Sequence, residues 1–280
     1  MHTDEQLKEI VREKYSQIAN SSTDKNAASC CGSCGCDTGV YNMMEEGYND
    51  LKGYNPEADL GLGCGLPTEF AKIKKGDTVV DLGSGAGNDA FVARAETGES
   101  GRVIGIDFTP AMIEKARSNA EKLQFHNVEF RLGDLENMPL ASNVADVVLS
   151  NCVLNLVPNK EKVFKEIYRV LKPHGHFSIS DIVLVGELPD DLKQDAEMYA
   201  GCVSGAIQKE KYLQIISNRG FDGISIQKER EINIPEEILR RYLNDDEMES
   251  FRNGSAGIYS ITVSAEKGAR TCCAPDAGCC

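Results

Sequence analysis

Eleven cysteines in 280 residues are the side chains of this sequence with the most chemistry to offer. Cys64, Cys152 and Cys202 stand in three separate contexts: Gly-Leu-Gly-Cys-Gly, Ser-Asn-Cys-Val-Leu-Asn and Tyr-Ala-Gly-Cys-Val. Cys30, Cys31, Cys34 and Cys36 crowd one Ser/Asn/Gly-rich stretch, and Cys272, Cys273, Cys279 and Cys280 sit as vicinal pairs in the tail. A chain long enough to bury a sizeable core does not need a disulfide framework, so clustered cysteines point to metal, metalloid or redox chemistry. Converging thiols suit a soft, thiophilic acceptor. Read singly, a buried cysteine is a small hydrophobe. The cluster at 30–36 also admits a zinc tetrahedron, although its spacing is cramped and no second pair follows at zinc-ribbon distance. The tail pairs read either as metalloid capture or as a segment with no role. None of His2, His126, His174 and His176 stands where a general base would act.

The elements that must position these thiols centre on Thr78–Gly87, Thr-Val-Val-Asp-Leu-Gly-Ser-Gly-Ala-Gly. Val79 and Val80 read as a buried strand closed by Asp81. Gly83, Gly85 and Gly87 read as a turn that lets a ligand approach the backbone, and a helix starts near Asn88. A second strand, Arg102–Phe108, carries Asp107, which suits a ribose. A third, Val128–Gly133, ends in Asp134-Leu135, which suits an adenine edge and face. A fourth, Ala145–Ser150, runs into Asn151-Cys152, and a fifth spans Phe177–Val183. Helices fall between them, from Thr109-Pro110 to about Leu123 and over Glu161–Leu171. This alternation predicts a parallel sheet with helices on both faces and ligands at the carboxyl ends of the strands. The glycines run G-x-G-x-G without the closing spacing of a dinucleotide fingerprint, so a nucleoside with an amino-acid tail fits better than a pyrophosphate.

On these residues the chain resembles the class I S-adenosylmethionine-dependent methyltransferases from Gly76 to Val185: Asp81-Leu-Gly-Ser-Gly-Ala-Gly87, Asp107, Gly133-Asp134-Leu135 and Val170-Leu-Lys-Pro173 fall in order. His174 departs from the glycine usual in that family's Pro-Gly-Gly turn. The resemblance implies a doubly wound, Rossmann-like α/β fold and S-adenosyl-L-methionine as cofactor. It implies cofactor contacts at Asp81, Gly83, Ser84, Gly85, Gly87, Asp107, Phe108, Asp134, Leu135 and Asn151. The three cysteine contexts further resemble the arsenite methyltransferases between Ala58 and Val203. That implies As(III) held by Cys64, Cys152 and Cys202, with Cys152 and Cys202 engaged in every transfer and Cys64 needed for inorganic arsenite. It also implies an N-terminal cysteine that pairs with Cys64 in a redox step. Distance from Cys64 favours Cys36, then Cys34 or Cys31. Arsenite and methylarsenite are then the substrates, and thioredoxin or a glutathione-type thiol the reductant.

Around this core, Thr3–Ala19 reads as an amphipathic helix. Thr3 and Gln6 form a capping box, and Leu7, Ile10, Val11, Tyr15 and Ile18 share a face. The helix either packs on the main domain or closes over the cofactor. Tyr41–Asn55 reads as weakly helical, and Thr68–Lys74 as a short helix. Lys209–Arg219 reads as a helix, and Ile224–Ile234 and Ile258–Glu266 as the last strands of the sheet. Segments around Cys202 and over Pro235–Arg252 read as a helical cap. The expected divisions are an N-terminal helix with a Cys-rich segment (1–57), the cofactor-binding core (58–185), a capping C-terminal region (186–268) and a Cys-rich tail (269–280). The net charge of −14 argues against nucleic acid and anionic membrane as partners. With no apolar run long enough to span a bilayer, the expectation is a cytoplasmic monomer. Two alternatives to arsenic methylation remain on sequence grounds. One is a small-molecule C-methyltransferase with incidental cysteines. The other is a metalloid- or zinc-binding protein that keeps the fold without turnover.

Overall fold

The computed structural model describes residues 3–20, 47–186, 205–232, 240, 244, 248 and 257–268. The expectations placed on Cys30, Cys31, Cys34, Cys36, Cys202, most of the helical cap and the cysteine tail lie outside these residues.

Among the described residues a seven-stranded sheet runs in the order β3-β2-β1-β4-β5-β7-β6. The strands are β1 (Thr78–Leu82), β2 (Arg102–Asp107), β3 (Val128–Leu132), β4 (Ala145–Asn151), β5 (Leu171–Val185), β6 (Phe221–Glu231) and β7 (Gly257–Lys267). The first five pair in parallel. β7 pairs antiparallel with both β5 and β6. The helices are α1 (Asp4–Asn20), α2 (Pro67–Phe70), α3 (Asn88–Thr97), α4 (Pro110–Lys122), α5 (Lys160–Val170) and α6 (Lys209–Asn218).

The central strands read as unbroken apolar runs because both faces are covered. Val79, Val103, Val147 and Leu149 pack with Phe91, Ile113 and Ala116 of α3 and α4 on one side. Val80, Leu82, Ile104, Ile106 and Val148 pack with Phe164, Ile167 and Tyr212 of α5 and α6 on the other. Each fully buried side chain of this kind contributes roughly 1.5–3 kcal/mol. The carboxyl ends of β1, β2 and β4 therefore form a rigid rim on which the loops are mounted.

Several local expectations change. β5 begins at Leu171 rather than Phe177 and carries His174 at φ +64°, the left-handed conformation a glycine would take without strain. The short helix ahead of β1 covers only Pro67–Phe70. Gly47–Asn55 forms turns, not helix. Thr109 occupies the cap position of α4, but its side chain makes no capping bond. In its place Asp107 Oδ1 accepts the Thr109 amide at 2.8 Å. The capping box of α1 is present, with Thr3 N donating to Gln6 Oε1 and Gln6 N to Thr3 Oγ1. Leu7 and Ile10 of that helix are exposed, while Val11, Tyr15 and Ile18 are half-buried.

Candidate cofactor and thiol site

Across the carboxyl ends of β1, β2 and β4 lies a cleft with about 1050 Å³ of empty space, its mouth included. That is the scale of a small-molecule site. Nine of the ten expected cofactor residues line it: Asp81, Gly83, Ser84, Gly85, Asp107, Phe108, Asp134, Leu135 and Asn151. The tenth, Gly87, is set back from the wall. A Cβ there would lie 2.8 Å from Phe91 and 2.9 Å from Phe130, so this glycine serves the packing of α3 against β3.

The turn after β1 is fixed from behind. The Gly83 and Ser84 amides donate to Ile106 O at 2.7 and 3.0 Å. Gly83 has φ +65°, and a Cβ on it would sit 2.4 Å from Val153. Gly85 has φ +50°, and a Cβ there would meet nothing within 4 Å, which leaves its backbone open to the cleft. The Gly85 amide is held at 3.1 Å by Asp107 Oδ2. Each carboxylate oxygen has room for a second donor, so Asp107 can clamp the turn and still receive ribose hydroxyls. Burial raises its carboxyl, and the amides of Thr109 and Gly85 pull it back.

Four polar atoms at this end, Asp81 Oδ2, Ser84 Oγ, Asn88 Oδ1 and Thr109 Oγ1, are buried without a hydrogen-bond partner. Asp81 is pushed well above the usual carboxylate range by burial, then by the charges of Asp89 and Asp107. Unpaired buried acceptors and carboxylates fit a ligand that brings hydroxyls and positive charge, as a nucleoside with a cationic amino-acid tail does.

Helix α1 supplies part of the wall through Lys8 and Tyr15. Lys8 Nζ reaches Asp134 Oδ2 at 2.7 Å and Glu136 Oε2 at 3.0 Å. Burial lowers the Lys8 ammonium, but the two carboxylates outweigh it and leave it raised. Asp134 is lowered, the Lys8 bond overcoming the upward pull of burial. Such a partly exposed pair is worth at most about 1 kcal/mol. It ties α1 to the loop that follows β3 rather than holding the fold together. The Arg12 guanidinium lies 5.7 Å from the centroid of the Phe108 ring.

At the other end of the cleft Cys152 lines the wall, and the Cys64 backbone lies behind it against Asn151. Both cysteines are buried. Asn151 Oδ1 accepts the Cys64 amide at 3.0 Å, and Cys152 follows Asn151 in the chain. Cys152 has φ +58°, and its amide donates to Ser180 O at 2.8 Å. Cys64 O accepts from Ser260 Oγ at 2.6 Å. The glycines around Cys64 owe their type to close approach. A Cβ at Gly63 would lie 2.8 Å from Asn151 Nδ2, and one at Gly65 would lie 2.6 Å from Ser180 Oγ.

Sequence reasoning missed a polar group behind these thiols. Tyr48 Oη donates to Asp89 at 2.9 Å, and Asn151 Nδ2 contacts both Tyr48 Oη and Asp89 Oδ2. Burial lifts the Asp89 carboxyl to about 6, against hydrogen bonds from Asn151 and Tyr48 that favour its charged form. Tyr48 lies in a polar stretch that reads only as weakly helical, and Asp89 reads as an ordinary acid in a first helical turn, so neither carries a local signal. On β5, Asp181 is fully buried beside Tyr212, whose phenol donates to it at 3.2 Å. Burial raises Asp181 to about 7, with the Lys160 ammonium, the Ile182 amide and Tyr212 opposing. The Tyr212 phenol is itself held high by burial, then by Asp181, and further by Cys64 and Cys152. Both cysteines thus lie within electrostatic reach of one phenol.

The methyltransferase domain family matches residues 73–220. An arsenite methyltransferase from Halobacterium salinarum is 39% identical over 279 residues, covering 95% of this chain and 68% of the relative. One from Aquipseudomonas alcaligenes is 32% identical, covering 85% and 69%. The crystal structure of an arsenic (III) S-adenosylmethionine methyltransferase from Chlamydomonas reinhardtii superposes with a TM-score of 0.61 at 34% identity, over 74% of this chain and 68% of that one.

Proposed function

The chain belongs to the arsenite methyltransferase family, and from that premise we propose that it methylates trivalent arsenic held on Cys64, Cys152 and Cys202. The observation that supports this reading most strongly is that two buried cysteines sit on either side of one residue: the Cys64 amide bonds to Asn151, and Cys152, which lines the cleft, follows Asn151 in the chain. Cys202 enters on its sequence context alone.

S-adenosylmethionine, when bound, supplies an electrophilic methyl group on a sulfonium sulfur. Asp107, Gly85 and Leu135 would hold its nucleoside, and its positive charge would draw the buried carboxyls of Asp81 and Asp89 toward their charged forms. Three thiolates bind arsenic as a pyramid and leave its lone pair on the open face. Methyl transfer to that lone pair would require no proton to be removed, so the chemistry places no demand on a general base. The protein's own contribution is to hold the two reactants in register and exclude water.

Transfer formally oxidises arsenic from the trivalent to the pentavalent state. Two electrons return when Cys64 and Cys36 pass from thiols to a disulfide, with Cys34 or Cys31 as the other candidates for the second position. A dithiol protein of the thioredoxin class, or a glutathione-type thiol, then reduces that disulfide by exchange. The protein acts on arsenite and then on methylarsenite, as a cytoplasmic monomer.

The experiment is one incubation of the purified protein with S-adenosylmethionine, arsenite and a thiol reductant, with arsenic species separated and S-adenosylhomocysteine counted. Methylarsenicals should form in step with S-adenosylhomocysteine. Cys152→Ser and Cys202→Ser should abolish turnover of arsenite and methylarsenite alike. Cys64→Ser should lose arsenite and retain methylarsenite, which needs only two protein thiols. Cofactor binding without any methylarsenical would overturn the proposal, and equal treatment of the two substrates by Cys64→Ser would overturn the ligand assignment.

A further inference from the structure

We propose that Asn151 is the positioning residue for the Cys64 thiol: its side-chain amide sets how far Cys64 stands from Cys152, and so decides whether three thiols can reach one arsenic. The inference rests on the assignment of Cys64 as the third arsenic ligand.

The family resemblance places Asn151 among the cofactor contacts, and it does line the cleft. Its hydrogen bonds go elsewhere. Oδ1 accepts the Cys64 amide at 3.0 Å, and Nδ2 donates to Gly65 O at 2.8 Å. One planar amide therefore grips the peptide groups on both sides of the Cys64 side chain, much as a neighbouring strand would. Nδ2 also contacts the Tyr48 phenol and, at 3.2 Å, Asp89 Oδ2. Tyr48 Oη in turn lies 3.3 Å from Gly65 O and 3.0 Å from Asp89 Oδ2. Asn151, which is half-buried, and the buried Tyr48 and Asp89 thus form one group in which every member touches the other two. Rotation of the Asn151 amide would give up several of these bonds at once.

The opposite side of the loop is held as well, with Ser260 Oγ on Cys64 O at 2.6 Å. Gly63 lets the loop lie against the Asn151 amide, since a Cβ there would come within 2.8 Å of Nδ2. Asn151 is also the last residue of β4, and Cys152 comes next, pinned to β5 by its amide. The separation of the two thiol-bearing backbones is therefore set by one short side chain. Asparagine is the residue that can do this: it offers an acceptor and a donor on one plane. Aspartate has no donor for Gly65 O and would add a negative charge beside Asp89. Glutamine adds a methylene and displaces the loop.

The test compares arsenite and methylarsenite as substrates at saturating S-adenosylmethionine, with cofactor affinity measured by calorimetry. The variants are Asn151→Ala, Asn151→Gln and Tyr48→Phe, with Cys64→Ser as the reference. A misplacement on the scale of an ångström can cost on the order of a hundredfold in rate. Asn151→Ala should therefore lose at least about tenfold more kcat/KM on arsenite than on methylarsenite. Tyr48→Phe, which keeps the ring and drops the hydroxyl, should shift the same ratio in the same direction by less. In the Asn151→Ala/Cys64→Ser double variant the arsenite-to-methylarsenite ratio should equal that of Cys64→Ser alone, because Asn151 acts through Cys64.

An equal loss on both substrates in Asn151→Ala and Tyr48→Phe, or a loss of cofactor affinity with the ratio unchanged, overturns the proposal and returns Asn151 to the cofactor. If Cys64→Ser itself fails to discriminate, it is the ligand assignment underneath that falls.

Discussion

The two ends of the cleft are built on opposite plans. At the cofactor end, Asp81 Oδ2, Ser84 Oγ, Asn88 Oδ1 and Thr109 Oγ1 are buried without partners. At the thiol end, the Cys64 amide, Cys64 O, Gly65 O and the Cys152 amide are all bonded. An unpaired buried polar group costs about 1–3 kcal/mol, so the first end is left for a ligand to complete. At the second end the described backbone groups are already paired. On the proposed function, the difference follows from what each end would bind. A nucleoside brings many hydroxyl and amine groups that can adapt to waiting acceptors. An arsenic atom brings only its preference for sulfur, so the backbones that carry the sulfurs would be held in advance.

The largest effect that would break this comparison is at the turn. Gly83→Ala places a methyl group 2.4 Å from Val153 on backbone at φ +65°. Affinity for S-adenosylmethionine, measured by calorimetry, should fall by at least about a hundredfold, because the loop must shift to relieve a contact that packed side chains cannot yield. Affinity within a few-fold of wild type would mean that this end tolerates rearrangement and needs no fixed backbone.

A smaller effect sharpens the thiol end. Asp181 is buried beside Tyr212 and Lys160 and raised to about 7. A carboxyl raised in the folded state binds protons more tightly there than in the unfolded chain. Its contribution is therefore fully present at low pH and is lost as pH climbs from the ordinary aspartate range toward about 7. Asp181→Asn removes that dependence and keeps an acceptor for Tyr212. Its melting temperature should match wild type near pH 5 or lie slightly below it. It should exceed wild type on the order of 5 °C at pH 8, read by thermal melts across that range. A wild-type protein more stable than the variant at pH 8 would show that Lys160 compensates the buried charge.

The sequence made one end of the cleft far more legible than the other. The glycine turn, Asp107 and Asp134-Leu135 can be read because each stands at the end of an apolar run, and strand ends in a doubly wound sheet converge on the ligand. Cys64 and Cys152 can be read only from their local contexts. What holds them has no local mark. Asn151 lies 87 residues from Cys64, and Ser260 lies 196 from it. These partners meet because β4, β5 and β7 are neighbours in the sheet, and no periodicity reports that. The packing role of Gly87 has no local mark either, since its neighbours Phe91 and Phe130 belong to two different elements. The last two strands were legible as members of the sheet, but their antiparallel direction follows from the connections and not from composition.

If the thiols of Cys64, Cys152 and Cys202 hold trivalent arsenic, all three must appear in its first coordination shell. X-ray absorption at the arsenic edge, on the reduced protein loaded with arsenite, counts those ligands directly. An all-sulfur first shell of three is expected in the wild type, with one sulfur replaced by oxygen in each of Cys64→Ser, Cys152→Ser and Cys202→Ser. An oxygen-coordinated arsenic in the wild type, or a sulfur count unmoved by Cys64→Ser or Cys152→Ser, would contradict it.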